Sequence, residues 1–304
     1  MNTEAPLWGI IGYLITPFAD DGAVDVDMLA RLTDRMIEGG VHGVAPLGST
    51  GCLPYLSDRE REAVTETVCG RAKGSVPVLV GVSSLTTEGT IHHARFAEKA
   101  GAAAVMVLPV SYWKLTDDEI FRHYERVAGA VSVPVMAYNN PATGGIDMKP
   151  EFLARLMEIS NITMVKESTG DIGRMVKLMQ LTDGRAAIYN GHNPMALAAF
   201  AVGAKGWTTA SAHLVPRLVV EFYEAVAERH DLSAARALFM DLQPLLDFIV
   251  KGGLPRTVAA GLGMLGSDVG PLRAPLLPIP DEDRATLRGL LGDLLDIEDE
   301  SKHG

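Results

Sequence analysis

One lysine in the sequence stands where an amine is expected to be reactive. Lys166 follows the apolar run ITMV at residues 162–165, so its ammonium group should be poorly hydrated. Burial lowers the pKa of a lysine, and a neutral amine attacks carbonyl groups. Lys166 is therefore predicted to form a Schiff base with a carbonyl substrate. Many lysines are simply solvated surface residues, and Lys205, which precedes an apolar run instead of ending one, is interpreted in that way.

Two other segments place hydroxyl groups at the ends of apolar runs. Tyr138 ends the run at 134–137, and a phenol beside an imine could transfer protons to and from the substrate. The alternative is a structural tyrosine whose hydroxyl is bonded elsewhere. The segment GSTG at 48–51 carries Ser49 and Thr50 on a turn whose N–H groups could hold a carboxylate, although such turns also commonly begin helices.

The elements that would position these residues alternate along the chain. Short apolar runs are separated by amphipathic segments, a pattern typical of βα units around a parallel sheet. Since eight such runs occur, the sequence predicts an α/β fold, a (β/α)8 TIM barrel, with its functional side chains at the carboxyl ends of the strands. The predicted strands are 9–15, 43–47, 77–81, 103–108, 134–138, 163–166, 186–190 and 206–209.

Beyond residue 209 the pattern is helical only, with predicted helices at 216–229, 233–250, 254–265 and 281–295. We assign residues 1–210 to the barrel and 211–304 to C-terminal helices packed on it, in a single structural unit with a charged tail from residue 296. A doubly wound open sheet is the alternative, but no GxGxxG follows the first predicted strand.

The bulk composition limits the classes of partner that the protein is expected to bind. A formal net charge of −11 and a pI of about 5.2 oppose binding to nucleic acid or to an acidic membrane. The apolar stretch near the start ends at Pro17, too short for a membrane helix. Two cysteines, Cys52 and Cys69, form no disulfide framework. We expect a cytoplasmic protein without a nucleic-acid or membrane partner.

Four segments together resemble one known family. They are GYLITPF at 12–18, GSTG at 48–51, YNNP at 138–141 and VKESTGD at 165–171. In order and spacing they are similar to the dihydrodipicolinate synthase and N-acetylneuraminate lyase family, the class I pyruvate-type lyases. The resemblance implies a homotetrameric barrel enzyme, an aldolase, dehydratase or condensing synthase, that needs no cofactor beyond the imine.

The same resemblance implies roles for individual residues. Lys166 would carry the imine with a 2-oxo acid, and Tyr138 would be the proton-relay phenol. The hydroxyls of Ser49 and Thr50 would hold the substrate carboxylate and link the relay. Thr208 would offer a backbone contact to the bound acid. A tyrosine crosses from a neighbouring subunit in many members, and the candidate here is Tyr112.

Two departures from the family pattern lie where the second half of the substrate would sit. Cys52 stands where a glutamate is usual and is interpreted as a small apolar filler. The segment ATGG at 142–145 lacks the arginine with which dihydrodipicolinate synthases bind a carboxylate. Losing such a charge-assisted contact costs about 1.5–3 kcal/mol. Synthesis of 4-hydroxy-tetrahydrodipicolinate is therefore not the first choice of activity. 4-Hydroxy-tetrahydrodipicolinate synthase proper and a non-catalytic 2-oxo-acid-binding barrel are kept as the alternatives.

Three further residues near the predicted mouth are candidates for contacting the distal part of the substrate: His192, Asn193 and His213. Both histidines could equally be hydrogen-bonded loop residues. The pair at 92–93 lacks the spacing of metal ligands, and no metal is expected. A phosphate-binding barrel is disfavoured because the segment ASAH at 210–213 has no glycine.

Overall fold

Eight parallel strands form one sheet that closes on itself. The computed structural model describes residues 5–300, with side chains for residues 5–297. Hydrogen-bonded neighbours follow the order β2-β1-β8-β7-β6-β5-β4-β3, and a parallel bridge between Val44 and Val78 joins the two ends. The predicted (β/α)8 barrel is confirmed. The strands are β1 (Gly9–Tyr13), β2 (Gly43–Ala45), β3 (Leu79–Gly81), β4 (Ala104–Val107), β5 (Val135–Asn139), β6 (Ile162–Glu167), β7 (Ala187–Asn190) and β8 (Gly206–Thr209).

All eight predicted strands are present, but their ends differ from the apolar runs. β2 stops at Ala45 because Pro46 has no N–H to donate to the ladder, and β3 likewise starts beyond Pro77. β5 and β6 extend to Asn139 and Glu167, one residue further than predicted, because these two residues pair with each other.

Helices follow the strands and cover the outside of the barrel. Capping boxes begin two of them, at Ser57 with Glu60 and at Thr116 with Glu119, as the spacing predicts. The helices are α1 (Val26–Glu38), α2 (Asp58–Ala72), α3 (Thr87–Ala100), α4 (Asp117–Ala128), α5 (Pro141–Gly144), α6 (Pro150–Leu156), α7 (Ile172–Leu181), α8 (Ala196–Ala201), α9 (Pro216–Tyr223), α10 (Leu232–Gly252), α11 (Leu254–Met264) and α12 (Asp281–Glu300).

The barrel has two apolar layers. Side chains alternate between the two faces of a strand, so each strand fills the barrel interior with one set of residues and packs against helices with the other. On β6, Met164 belongs to the interior cluster and Val165 to the outer one. Because Lys166 has the same parity as Met164, its side chain points into the barrel, one layer closer to the mouth.

The C-terminal helices pack on the barrel. α10 contacts α9, α11 and α12, and Arg273, between α11 and α12, bonds Glu60 on α2. The division at residue 210 stays a prediction. The expected charged tail from residue 296 is helical as far as Glu300, and residues 301–304 lie outside the described part. Within that part, no helix combines the length and apolar character needed to cross a membrane.

Candidate active site

Lys166 lies at the carboxyl end of β6 and is almost completely buried, with 3% of its surface exposed. Its Nζ lies 3.9 Å from the centroid of the Tyr138 ring and 4.0 Å from that of Tyr13. The amine is therefore held between two aromatic faces. Burial lowers the pKa of Lys166, while attraction to Tyr138 acts in the opposite direction. The neutral, nucleophilic amine is therefore easier to reach than in a solvated lysine.

Lys205 shows why position along the strand matters. It directly precedes β8, at the opposite end of the barrel, and its side chain is exposed. Its backbone carbonyl accepts a hydrogen bond from Gly9 at the start of β1. Lys205 therefore has a structural environment, as predicted.

Tyr138 is buried beside the lysine, at the corresponding position on the neighbouring strand. Asn140 Nδ2 donates to its phenol oxygen at 2.7 Å, and Ser49 Oγ lies 3.4 Å from the same oxygen. Burial raises the pKa of Tyr138, but attraction to Lys166 and the hydrogen bonds outweigh burial and lower it. The phenol is thus suited to exchange protons with a group bound at the lysine.

Of the other predicted site residues, Ser49 and Thr208 line the space around Lys166, whereas Thr50 does not. Thr50 is fully buried, and its hydroxyl has no hydrogen-bond partner in the described part of the chain. The hydroxyl of Thr208 donates to the carbonyl of Asn190 at 2.9 Å. Thr208 therefore lines the candidate site with a hydroxyl that is already bonded, whereas Thr50, whose hydroxyl is unpaired, does not line it.

Tyr112 lies away from the lysine. It follows β4 with 89% of its surface exposed, and its ring packs edge-on against Trp113, which is 77% exposed. Both rings project from the surface of this chain. Tyr112 therefore contributes nothing to the lysine site of its own subunit.

The structure separates the three candidates for contacting the distal part of the substrate into two groups. His192 and Asn193 line the space around Lys166, but His213 does not. His213 is completely buried and its Nε2 accepts the N–H of Ile15 at 2.9 Å. Burial, aided by the positive charge of Arg35, lowers its pKa to about 3. The interpretation of His213 as a substrate contact is wrong; it is a hydrogen-bonded core residue, the other reading of that histidine.

Sequence reasoning missed three residues around the lysine: Tyr13, Ser168 and Gly191. Tyr13 ends β1 and its ring contacts the amine; because the predicted strand ran on to residue 15, its place at the strand end was not visible in the sequence. Ser168 follows β6 two positions after Lys166 and lines the same space. A Cβ on Gly191 would lie 1.8 Å from Ser168 Oγ and 2.6 Å from Lys166 Cε. Only glycine leaves room for these two side chains.

A buried network behind the site was also missed. Glu167, which points away from the interior, accepts hydrogen bonds from Asn139 Nδ2 at 3.1 Å, Thr169 N at 2.8 Å and Arg174 Nε at 3.3 Å. Arg174 continues to Asp147 at 2.8 Å. Because Asn139 and Glu167 immediately follow the candidate tyrosine and lysine, this network fixes the ends of β5 and β6.

Two adjoining cavities open at the mouth, and four residues border both: Ser49, Tyr138, Thr143 and Leu254. The lysine cavity, of about 460 Å³, is lined by these and by Tyr13, Asn140, Pro141, Ala142, Lys166, Ser168, Thr169, Gly191, His192, Asn193, Thr208, Ala210 and Val250. The apolar cavity, of about 400 Å³, is lined by the shared four and by Leu47, Gly48, Cys52, Leu53, Pro54, Tyr55, Ser83, Met106, Leu108, Val110, Gly253, Pro255 and Leu276.

Cys52 lies in the wall of the apolar cavity. It is buried, and its Sγ approaches only the carbonyl of Thr50, at 3.8 Å. Burial raises the pKa of the thiol to about 11. A thiol that stays protonated is a poor nucleophile, so Cys52 acts as apolar filler.

The described residues contain no group of three or more histidine, cysteine, aspartate or glutamate side chains placed to hold a metal ion. His92 and His93 bond separate carboxylates on α2, those of Glu62 and Asp58. That the chemistry needs no metal or cofactor stays a prediction.

The chain is similar to known proteins in both sequence and fold. Residues 6–293 match the model of the dihydrodipicolinate synthetase family. A 4-hydroxy-tetrahydrodipicolinate synthase of Methanothrix thermoacetophila is 34% identical over 290 residues, which is 95% of this chain and 97% of the relative.

Solved structures show the same similarity. A Pseudomonas aeruginosa protein assigned as a dihydrodipicolinate synthetase superposes with a TM-score of 0.93 at 53% identity, covering 95% of this chain and 99% of the other. A chloride-inhibited dihydrodipicolinate synthase of Acinetobacter baumannii, solved with pyruvate, gives 0.90 at 29% identity, with coverage of 95% and 99%.

Proposed function

This chain belongs to the dihydrodipicolinate synthetase family of Schiff-base-forming lyases, and we propose that it acts on pyruvate or a related 2-oxo acid through an imine on Lys166. The observation that carries the proposal is the buried amine between the rings of Tyr13 and Tyr138. Such an amine loses its proton more readily than a solvated one. The similar Acinetobacter baumannii synthase was solved with pyruvate.

The proposed chemistry is the following. Lys166 Nζ attacks the C2 carbonyl of the acid, and the resulting carbinolamine loses water to give a protonated imine. The protonated imine accepts an electron pair when the C3–C4 bond breaks, as the C4 hydroxyl loses its proton and departs as an aldehyde, or when a C3 proton leaves. The enamine that results is protonated at C3 or adds through C3 to an aldehyde, and water then hydrolyses the imine and frees Lys166. Tyr138 transfers the protons, and the hydroxyl of Ser49, which lines the lysine cavity, helps to hold the substrate carboxylate; the role that the resemblance implies for Thr50 would need its buried hydroxyl to become accessible. No external cofactor enters these steps.

The experiment is covalent trapping. The protein is incubated with pyruvate and borohydride, digested, and mapped by mass spectrometry. A reduced adduct is expected on the Lys166 peptide, absent from Lys166→Ala and retained in Lys205→Ala, the matched control at the opposite end of the barrel. An adduct elsewhere, or none in the unsubstituted protein, would refute the proposal. An adduct without turnover of any acid would favour the binding-only alternative.

The two cavities offer little to a second substrate that carries its own carboxylate. Among the described residues, Lys166 is the only lysine or arginine that lines either cavity. Ala142 and Thr143 occupy the segment in which the resemblance leads one to expect a carboxylate-binding arginine. An aldehyde with its own carboxylate would lack a charge-assisted partner there, which disfavours 4-hydroxy-tetrahydrodipicolinate synthesis proper.

We also propose that the protein assembles as a homotetramer in which Tyr112 of one subunit enters the apolar cavity of another, as the resemblance implies. Two observations support this. Tyr112 and Trp113 form an exposed aromatic pair, which is costly to leave in water. The apolar cavity of each chain borders Ser49 and Tyr138, where an incoming phenol would join their hydroxyls.

Subunit mixing tests the crossing. Tyr112→Phe and Lys166→Ala are each expected to be nearly inactive. In a co-refolded mixture about half of the randomly formed pairs contain one subunit of each variant, and one of the two sites in such a pair has both the lysine and the tyrosine. The mixture should therefore recover about a quarter of the activity. Tyr112→Phe should keep the oligomeric mass seen by light scattering. Failure of the mixture to recover activity, despite exchange of subunits, would contradict the crossing but leave the imine proposal intact.

We propose a cytoplasmic location, and the state of the two cysteines is the observation that supports it. Cys52 and Cys69 are both free and buried, which agrees with a reducing compartment. Fractionation of the native cells, followed by immunodetection, tests it.

A further inference from the structure

We propose that Tyr13 is a catalytic residue: the face of its ring stabilises the positive charge that develops on Lys166 Nζ when the imine forms. The inference rests on the proposed Schiff-base function and adds to it a residue that contacts the reacting nitrogen without exchanging a proton with it. It concerns the part of the lysine cavity at the end of β1.

The first observation is the position of the reacting nitrogen. Lys166 Nζ lies over two rings, 4.0 Å from the centroid of Tyr13 and 3.9 Å from that of Tyr138. A cation within about 6 Å of a ring centroid is attracted by the negative charge of the ring face. The nitrogen keeps its bond to Cε of the lysine when it reacts, so the same ring faces it in the imine.

The second observation is the absence of a carboxylate from the cavity. None of the described residues that line the space around Lys166 is an aspartate or a glutamate, and Glu167 is bonded behind the site to Asn139 and Arg174. A charge at a buried atom is costly unless a partner compensates for the lost water. Compensation of a positive charge on the nitrogen is therefore left to the two tyrosines.

The two tyrosines differ in the use of their hydroxyl groups. Tyr138 accepts a hydrogen bond from Asn140 Nδ2 and lies beside Ser49 Oγ, as suits a phenol that transfers protons. The Tyr13 hydroxyl donates to Met106 Sδ at 2.8 Å, a weak acceptor. Burial and repulsion from Tyr138 raise the pKa of Tyr13 well above its ordinary value. Tyr13 therefore stays a neutral phenol and acts through its ring.

The structure holds this ring in place. Tyr13 is buried, and its strand β1 pairs with β2 on one side and with β8 on the other. Gly48 makes room for the ring, because a Cβ there would lie 2.4 Å from Cε1 of Tyr13. The ring is thus fixed before a substrate binds and does not have to reorganise when the charge appears.

The chemistry indicates which step depends on the ring. The neutral amine adds to the C2 carbonyl, and the carbinolamine takes up a proton and loses water, which leaves the positive charge on the nitrogen. Loss of a C3 proton from the imine then gives a neutral enamine, in which the ring has no cation to attract. Tyr13 should therefore stabilise the imine relative to the free enzyme and acid, without accelerating the step that follows.

Fluorination tests this without removing the ring. Tyr13 is replaced by phenylalanine, as the reference, and by phenylalanine derivatives with one, two or three ring fluorines, which weaken the negative face with little change in size. The half-saturating pyruvate concentration for borohydride trapping is measured above the rising limb of the pH profile, where the free amine is neutral. We expect this concentration to rise with each fluorine, by about 30-fold in total, the effect of losing a desolvated cation–π contact.

A second measurement separates a charge effect from a structural one. Exchange of the C3 hydrogens of pyruvate with D2O, followed by NMR at saturating pyruvate, reports the step from imine to enamine. Its rate should rise along the series, because the weakened ring face no longer retains the charge that this step removes. A ring that only held Lys166 in position would give a saturating rate that falls with substitution.

Tyr189 is the matched control. It is buried in the same interior cluster as Tyr13 and is the strand partner of Lys166 on β7. Its hydroxyl donates to the carbonyl of Leu7 at 2.8 Å, and it does not line the lysine cavity. The same fluorinated series at position 189 should leave both measurements at the values found for Tyr189→Phe.

The outcomes separate the two proposals. No pyruvate adduct in the unsubstituted protein would refute the Schiff-base function. An adduct whose half-saturating concentration is constant along the Tyr13 series, or rises equally along the Tyr189 series, would overturn the role of Tyr13 alone. A saturating exchange rate that falls along the Tyr13 series would overturn it as well, because the ring would then act on position and not on charge.

Discussion

The two cavities at the barrel mouth share a wall but differ in how their polar atoms are used. The lysine cavity contains a buried amine and two unpaired polar atoms, Ser168 Oγ and His192 Nδ1. In the apolar cavity the hydroxyl of Ser83 is already bonded, since it accepts the N–H of Leu108 at 2.8 Å. Among the buried side-chain atoms of the described residues that line the two cavities, those without a partner therefore belong to the side where a covalent ligand is proposed.

The two cavities differ in polarity although they share a wall. Tyr138 borders both spaces, whereas Met106 and Leu108 line only the apolar one. Lys166, whose pKa is lowered by burial, lines only the other. The variants below test whether the chemistry is likewise confined to the lysine cavity.

Tyr138→Phe is expected to have the largest effect. Removing the proton-transferring phenol should reduce turnover about 10²- to 10⁴-fold, the range for loss of a general acid–base. Attraction to Tyr138 raises the pKa of Lys166, so without it the rising limb of the pH profile for imine formation should move to lower pH. Stopped-flow measurement of adduct formation across pH checks this; an unmoved limb would show that the two groups are not coupled.

Gly191→Ala should come next. The added Cβ would overlap Ser168 Oγ and displace Lys166 Cε, and a misplacement of about 1 Å can cost about 10²-fold in rate. Gly253→Ala is the control in the apolar cavity: its Cβ meets no atom closer than 3.9 Å, so only its positive φ is strained. The comparison uses the rate of pyruvate trapping. Equal losses in both variants would remove the distinction between the cavities.

Leu108→Ala should affect stability and spare the chemistry. Truncating a buried leucine costs about 2–5 kcal/mol of unfolding free energy, measured by urea denaturation. In this variant the number of lysines trapped by pyruvate and borohydride per folded chain should equal that of the unsubstituted protein. Ser49→Ala should do the opposite: it should weaken pyruvate binding with little change in stability. A loss of trappable lysine in Leu108→Ala would show that the two cavities form one functional unit.

The smallest effect is expected at Arg273, which donates a hydrogen bond to the carbonyl of Tyr55 in the wall of the apolar cavity. Arg273 bonds Glu60, and this hydrogen bond lowers the pKa of the carboxyl to about 2. A carboxyl whose pKa is lowered by folding stabilises the fold fully above its ordinary pKa of 4.5 and loses this contribution as the pH falls towards 2. Glu60→Gln should therefore flatten the pH dependence of unfolding in that window. An unchanged acid limb would mean that the pair contributes nothing to stability.

Much of the fold was accessible from the sequence because its signals are local. Eight apolar runs bounded by proline, glycine or polar residues predicted the strands, and their ends differ from the observed ones by at most two residues, in two cases because Pro46 or Pro77 interrupts the ladder. The capping boxes that begin at Ser57 and Thr116 are likewise local signals, because each joins two residues that are three positions apart. The segment around Lys166 predicted both its strand-end position and its apolar surroundings.

The site was only partly accessible for the opposite reason. Tyr13 contacts Lys166 across the barrel, and nothing near either residue in the chain indicates that contact. The sequence left open whether His213 contacts the substrate or is hydrogen-bonded, because its partner, the N–H of Ile15, lies 198 residues away. The identity of Gly191 as the residue that makes room for Ser168 could be read only from the assembled strands.

The sequence by itself determined that this chain builds an eight-stranded barrel with a lysine and a tyrosine at its mouth, because periodicity, capping and strand-end position are properties of neighbouring residues. Tertiary structure alone decided that Tyr13 faces that lysine, that Ser168 keeps an unpaired hydroxyl, and that His213 is sealed in the core. Strand order and register bring distant segments together, and burial then sets which polar atoms find partners and which remain for a ligand.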